Sequence, residues 1–323
     1  MKLPRLEEQA LIDAIRREFR GPKTGLILGI GDDAAVVKIS GEKIFITKDL
    51  LIEDVHFLFR FHPPKLLGRK SLNVNLSDLA AMGASPKYAL LGLGLPKDTG
   101  TGWIREFFSG FKSAAKEFGV SLVGGDITRA RKITVSVTIL GEGKDAIRRD
   151  GARPGHHVFV SGSLGDAREG LVLMRKGVRL GSDKRQDRML RAFLDPQPQV
   201  KLGMELARLK LASAMIDTSD GLSIDLGHLC EESGCGAEVY LEKIPVSAEL
   251  KALQRKARDF ALNGGEDYQL LFTVPEEKMD LLSSLKRRYA LTPIGKIISG
   301  LGIVVVDSRN RRKKLQPKPW HHF

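Results

Sequence analysis

The sequence predicts an α+β protein of two domains, and three observations carry that prediction. Its 323 residues suffice for two ordinary domains, each able to bury a core. Both halves mix short β-branched runs with longer helix-periodic stretches, without the strict alternation of a doubly wound sheet. Residues 142–156 (EGKDAIRRDGARPGH) are polar, contain Pro154 and follow no period, so a connection falls there. The chain thus divides into 1–150 and 151–323.

Taken in order, residues 6–19 set Leu6, Ala10, Ile12, Ala14 and Ile15 among charges, which suits an amphipathic helix. Residues 34–39 and 43–47 read as strands around a turn at Ser40 and Gly41. A helix over 64–83 follows, then a strand over 88–95 closed by Pro96. A second helix, about 102–118, leads to the apolar run 120–123 and a break at Gly124 and Gly125. Residues 133–141 are rich in β-branched side chains and predict a strand. Beyond the connection come a strand at 157–161, a helix from about 165 and a basic stretch at 179–191. Helix 198–209, strand 213–217 and helix 220–233 precede a third of alternating strands (236–241, 268–274, 293–298, 301–306) and helices (248–257, 275–289).

The formal charge is +13, from 52 Lys+Arg against 39 Asp+Glu. Hydrophobic content of 42% and charged content of 28% exclude wholesale disorder. A basic chain attracts polyanions, and nucleotides, nucleic acid and membrane surfaces all qualify. No run approaches the roughly 18 apolar residues that span a bilayer. The opening stretch MKLPRLEEQALIDAIRREF has no apolar centre and carries acids, against a signal or transit peptide. Two cysteines, Cys230 and Cys235, are too few for a disulfide framework or a four-ligand zinc site. A reducing, cytoplasmic setting is expected.

Thirty-four glycines exceed the roughly 7% average usage, and many stand beside aspartates. Five segments combine them or place aspartate at an element's end: GIGDDA (29–34), 47–49, NLSD (75–78), GGD (124–126) and DTSDG (217–221). Glycine lets backbone approach a ligand closely, and aspartate supplies a hard oxygen donor. Each alone is ordinary turn chemistry. Five together require cations, and Mg²⁺ with phosphate oxygens supplies that need. GIGDDA matches G-x-G-x-x-A formally, but the following VVKIS reads as strand instead of the helix a dinucleotide fold requires. No G-x-x-x-x-G-K-[ST] occurs, so a P-loop is excluded.

Six words carry a resemblance: GIGDDAAV (29–36), DLLIEDVHF (49–57), NVNLSDLAAMGASP (73–86), GGDITR (124–129), DTSDGLSIDL (217–226) and GGEDYQL (264–270). In this order they resemble the thiamine-monophosphate kinase family, within the aminoimidazole ribonucleotide synthetase-like superfamily. The resemblance implies that superfamily's two-domain α+β fold, with a homodimer whose N-terminal domains pool strands in a shared β-barrel. It implies an N-terminal domain for ATP, Mg²⁺ and dimerisation, and a C-terminal domain completing the active site. The implied reaction moves the ATP γ-phosphate onto thiamine monophosphate with several Mg²⁺ ions. Asp33, Asp49, Asp78, Asp126 and Asp217 fall at the implied catalytic metal positions, with Thr47, Lys48 and Asp220 beside them. Gly125, Asp126, Arg149 and Ser219 fall at ATP contacts, and His56, Glu266 and Trp320 at substrate contacts. Lys48 is a departure, since the family places a hydroxyl there and an ammonium cannot ligate Mg²⁺; altered metal stoichiometry or affinity is expected.

Each residue keeps a competing reading. Asp220 suits an N-cap, Asp32 a turn, His56 an ordinary half-buried histidine, Glu266 a turn carboxylate and Trp320 terminal packing. Arg148 adjoins Arg149, and register alone leaves a swap open. Selenophosphate synthetase needs a reactive cysteine near the N-terminus, whereas the first cysteine is Cys230. The hydrogenase maturation factor HypE needs a C-terminal cysteine, whereas the chain ends in His321, His322 and Phe323. A nucleic-acid binder would use the basic tail and 179–191, but no recognition motif supports it. ATP and thiamine monophosphate are the expected partners, without nucleic acid or membrane.

Overall fold

A computed structural model describes residues 25–40, 42–181 and 183–315. The predicted helix at 6–19 and Trp320 lie outside the described residues. Among the described residues, six strands form the first sheet: β1 (Leu26–Leu28), β2 (Ala35–Ile39), β3 (Glu42–Ile52), β4 (Ser85–Leu95), β5 (Ser121–Arg129) and β6 (Thr134–Glu142). Their order is β1-β2-β3-β6-β4-β5, antiparallel throughout except that β5 runs parallel to β4. A parallel pair needs a crossover, which helix α2 (Thr101–Phe118) supplies after α1 (Pro64–Ala81) has covered the sheet.

The first sheet has a covered face and a bare one. Val135, Val137 and Ile139 alternate inward along β6, matched by Ala89, Leu91 and Leu93 on β4. The other face leaves Leu50, Tyr88 and Leu90 exposed, and every residue of β5 is exposed. The prediction ended that segment at Gly124–Gly125, yet the strand continues through both glycines. A Cβ at Gly125 would stand 1.9 Å from the Leu91 carbonyl oxygen, so glycine is what admits the pairing with β4.

Seven strands form the second sheet, in the order β13-β12-β9-β11-β7-β10-β8. They are β7 (His157–Ser161), β8 (Ala214–Asp217), β9 (Gly236–Tyr240), β10 (Leu270–Val274), β11 (Leu291–Ile298), β12 (Gly302–Val306) and β13 (Arg312–Lys314). Around them lie α3 (Asp166–Arg175), α4 (Lys184–Leu194), α5 (Val200–Arg208), α6 (Leu222–Ser233), α7 (Ala248–Leu253), α8 (Ala257–Asn263) and α9 (Met279–Lys286). The basic stretch is helix α4, started by Asp183, whose carboxylate accepts the Arg185 and Gln186 N–H groups. The predicted helix 248–257 is two short helices, and 275–289 opens with a 3₁₀ turn before α9.

One apolar cluster joins the halves: Leu72, Leu76 and Leu79 of α1 share it with Phe159, Met215 and Phe272 of the second sheet. Helix α1 is therefore buried nearly all round, with Lys70, Ser71, Asn73, Asn75 and Ser77 fully buried. Such a helix is normally apolar on every side; its polar residues mark it as part of a site. No described helix is long and apolar enough to cross a membrane.

Candidate active site

Three carboxylates from three distant segments meet between the sheets. Asp33 comes from the turn before β2, Asp78 from α1 and Asp217 from the end of β8, with oxygens all within 4.8 Å of one another. Thr47 Oγ1 on β3 donates to Asp78 Oδ2 at 2.5 Å, and Asn75 Oδ1 accepts the Asp49 N–H at 3.0 Å. Arg149 reaches in from the connection: its Nη2 and Nε donate to Asp33 at 3.0 and 3.1 Å. Asp32 accepts the Arg149 N–H at 3.3 Å and its own neighbour's N–H at 3.1 Å. Arg148 instead pairs with Asp150 at the surface, so of the two it is Arg149 whose side chain joins the carboxylate cluster.

Crowded, desolvated carboxylates hold their protons. Burial and then Asp33 lift the Asp32 carboxyl to about 7. Burial and then Asp220 lift Asp49 to about 6. Burial and then Asp33 lift Asp217 to about 8. Asp78 is raised well above the carboxylate range by burial, reinforced by Asp49, Asp217 and Asp33. Burial works against the Arg149 charge, but Asp33 and Asp32 overcome it and the guanidinium stays protonated. Asp217 Oδ2 is buried with no hydrogen-bond partner. An orphaned oxygen among hard donors of one sign fits a divalent cation such as Mg²⁺.

Beside the cluster opens a cavity of about 570 Å³. Asp49, Asp78, Ser219 and Asp220 line it together with Leu58, Leu171, Met174 and Phe193. Two loops build its wall by pairing backbone to backbone. Thr218 N–H donates to Gln269 O at 2.8 Å, Glu266 N–H to Ser219 O at 2.7 Å, and Tyr268 N–H to Thr218 O at 2.9 Å. A Cβ at Gly265 would stand 2.5 Å from Ser219 O, so the words DTSDG and GGEDY interlock only with glycine there. Asp220 makes no cap: Asp225 accepts the Gly221 N–H at 2.9 Å at the head of α6. The Asp220 carboxylate is exposed in the cavity wall instead.

His56 and Glu266 line the cavity as well. His56 Nδ1 accepts the Ile52 N–H at 3.0 Å. Glu266 pairs with Lys70, a buried residue that no sequence word singled out. Arg168 of α3, also unforeseen, adds a cation to the wall. Gly125, Asp126 and Lys48 are placed elsewhere. Thr47 and Asp49 face the covered side of β3, whereas Lys48 points to the bare side and donates to Ser136 Oγ. Asp126 shares the bare side through the row Asp126, Gly92, Ser136 and Leu50. Neither side chain joins the three-carboxylate cluster.

Comparison with known proteins identifies this arrangement. The family "AIR synthase related protein, N-terminal domain" matches residues 31–142, and its C-terminal counterpart matches 153–308. The thiamine-monophosphate kinase of Aquifex aeolicus (strain VF5) is 39% identical over 329 aligned positions, covering 100% of both chains. That of Escherichia coli (strain K12) is 37% identical over 83% of each. The solved structure of AaThiL complexed with AMPPCP and TMP superposes with a TM-score of 0.89 at 38% identity, covering 100% of this chain and 99% of that one. The hydrogenase maturation protein HypE in complex with ATP, at 21% identity and a TM-score of 0.70 over 96% and 94% of the two chains, shares the fold. With its full-length relatives and both domain matches in register with the site, this chain belongs to the thiamine-monophosphate kinase family of enzymes.

Proposed function

We propose that this chain transfers the γ-phosphate of ATP directly onto the phosphate of thiamine monophosphate, forming thiamine diphosphate. One observation carries the reading: the Asp33–Asp78–Asp217 cluster opens through Asp78 into a cavity with both carboxylate and apolar walls. A phosphate bearing an aromatic, cationic ring system matches that pairing of surfaces. Relatives that carry this activity in their names support it, as does the AaThiL complex with AMPPCP and TMP.

Asp33, Asp49, Asp78, Asp217 and Asp220, with the Thr47 hydroxyl, would hold Mg²⁺; Asp126, on the bare side of the first sheet, would do so only toward a second copy. When bound, the ions would neutralise the charge of the phosphate groups. The residues of the chain do the rest. Arg149 keeps Asp32 and Asp33 together, and we assign it, with Gly125 and Ser219, to ATP from their positions in the sequence words. His56 and Glu266 hold the acceptor, with Trp320 assigned to it from its sequence position alone. The acceptor phosphate is mostly dianionic at neutral pH, its second pKa being about 6. It therefore attacks without a general base, and alignment carries the catalysis. We assign 1–150 to ATP, metal and dimer contacts and 151–323 to completing the site. The bare face of the first sheet and its exposed strand β5 support a homodimer. A cytoplasmic location accords with two free, buried cysteines.

The test is incubation with Mg·ATP and thiamine monophosphate, with free thiamine and an aminoimidazole ribonucleotide precursor as rival acceptors. Thiamine diphosphate is expected, with inversion at a chirally labelled phosphorus. Turnover of a rival acceptor alone overturns the substrate, and net retention overturns direct transfer.

A further inference from the structure

Helix α1 hides a lysine without a role in the function above. Lys70 is fully buried, and a buried ammonium is costly unless paired. Three groups meet it. The Phe193 carbonyl oxygen accepts from Nζ at 3.0 Å, the Phe193 ring centroid lies 3.8 Å from Nζ, and the Glu266 carboxylate takes a charge-assisted hydrogen bond. The pair is lopsided, with side-chain exposures of 0% for Lys70 and 26% for Glu266. The cavity therefore meets only the negative member.

Glu266 is constrained from its backbone as well. Its φ of +69° is the left-handed conformation that non-glycine residues enter only when the surroundings impose it. Its N–H is held by Ser219 O at 2.7 Å. Backbone and ammonium together restrain the carboxylate, in a cavity that Leu58, Leu171 and Met174 also line. A carboxylate fixed in advance loses no rotamer freedom when ligand arrives.

We infer that Lys70 is a positioning residue, aiming the Glu266 carboxylate at the cationic ring system of the acceptor without touching that molecule. The inference rests on Glu266 being a substrate contact, as proposed above. It assigns Lys70 to acceptor affinity and leaves ATP affinity untouched.

The test measures, on the full chain, the Kd for thiamine monophosphate and for a non-hydrolysable ATP analogue. Lys70→Gln is expected to weaken thiamine monophosphate about tenfold or more and to leave the analogue within about twofold. In a Glu266→Gln background, adding Lys70→Gln should change thiamine monophosphate binding by less than about twofold. A further tenfold loss in that background, or equal losses for both ligands, overturns the inference. So does native acceptor affinity in Lys70→Gln. Should the single variant not fold, the comparison of Glu266→Gln with the double variant decides. A double variant that also fails to fold overturns the inference, since Lys70 is then structural. Glu266→Gln with native affinity refutes the reading of Glu266 itself, a result distinct from any of these.

Discussion

Asp217 is the residue at which function and stability pull apart. Its buried, unpartnered oxygen suits a cation and burdens the chain without one. Asp217→Asn should lower kcat about 100-fold or more, the scale of losing one electrostatic contact in a closed site. The same variant should melt at a higher temperature than the native chain in chelator, because an amide buries no group that must first take up a proton. A lower melting temperature would refute that account. The native chain carries a pH signature of the same origin. An unfolded chain releases its carboxyl protons near pH 4, whereas the folded chain holds those of Asp49 to about 6 and of Asp217 to about 8. The folded state thus binds more protons across that window, and metal-free stability falls as pH rises from about 4 to about 8. Millimolar Mg²⁺ should flatten the fall, read as melting temperature against pH with and without chelator.

At the scale of elements, β5 stands out because Leu122, Val123 and Ile127 are exposed on a sheet edge. Such an edge invites pairing with another chain. Replacing Val123 and Ile127 together with lysine should shift the homodimer proposed above to monomer in sedimentation. An unshifted dimer would move the interface elsewhere. This strand also shows where sequence reading fails. Alternation and β-branching announced β6, and helix periodicity announced α2, because one buried face prints its period on the residues. The strand β5 buries neither face, so it prints none, and Gly125 disguised it as a break. The helix α4 was hidden by its charges, although Asp183 followed by a Met189–Leu190–Phe193–Leu194 stripe held the signal. At the site, Asp33, Asp78 and Asp217 were legible from their glycine-rich words. Lys70 was not, since a lysine on a helix is ordinarily solvated and only the tertiary fold buries it.

For the whole molecule, the two sheets act through α1, which contributes Asp78 to the carboxylate cluster and Lys70 to the cavity wall. Its polar residues are held by partners from both halves: Asp49 beside Asn75, Asp195 and Pro196 beside Asn73, Glu266 beside Lys70. The cluster and the cavity therefore exist only when both halves are docked. The first sheet adds a consequence of its own. Asp126 looks away from the carboxylates of its own chain, and in the homodimer proposed above it would serve the site of the second copy. Two dead proteins should then rescue one another. Chains carrying Asp126→Asn and Asp217→Asn, unfolded together and refolded as a mixture, should regain about a quarter of native activity. Half of randomly paired dimers would be mixed, each with one of two sites intact. If Asp126 serves its own chain, the mixture stays silent.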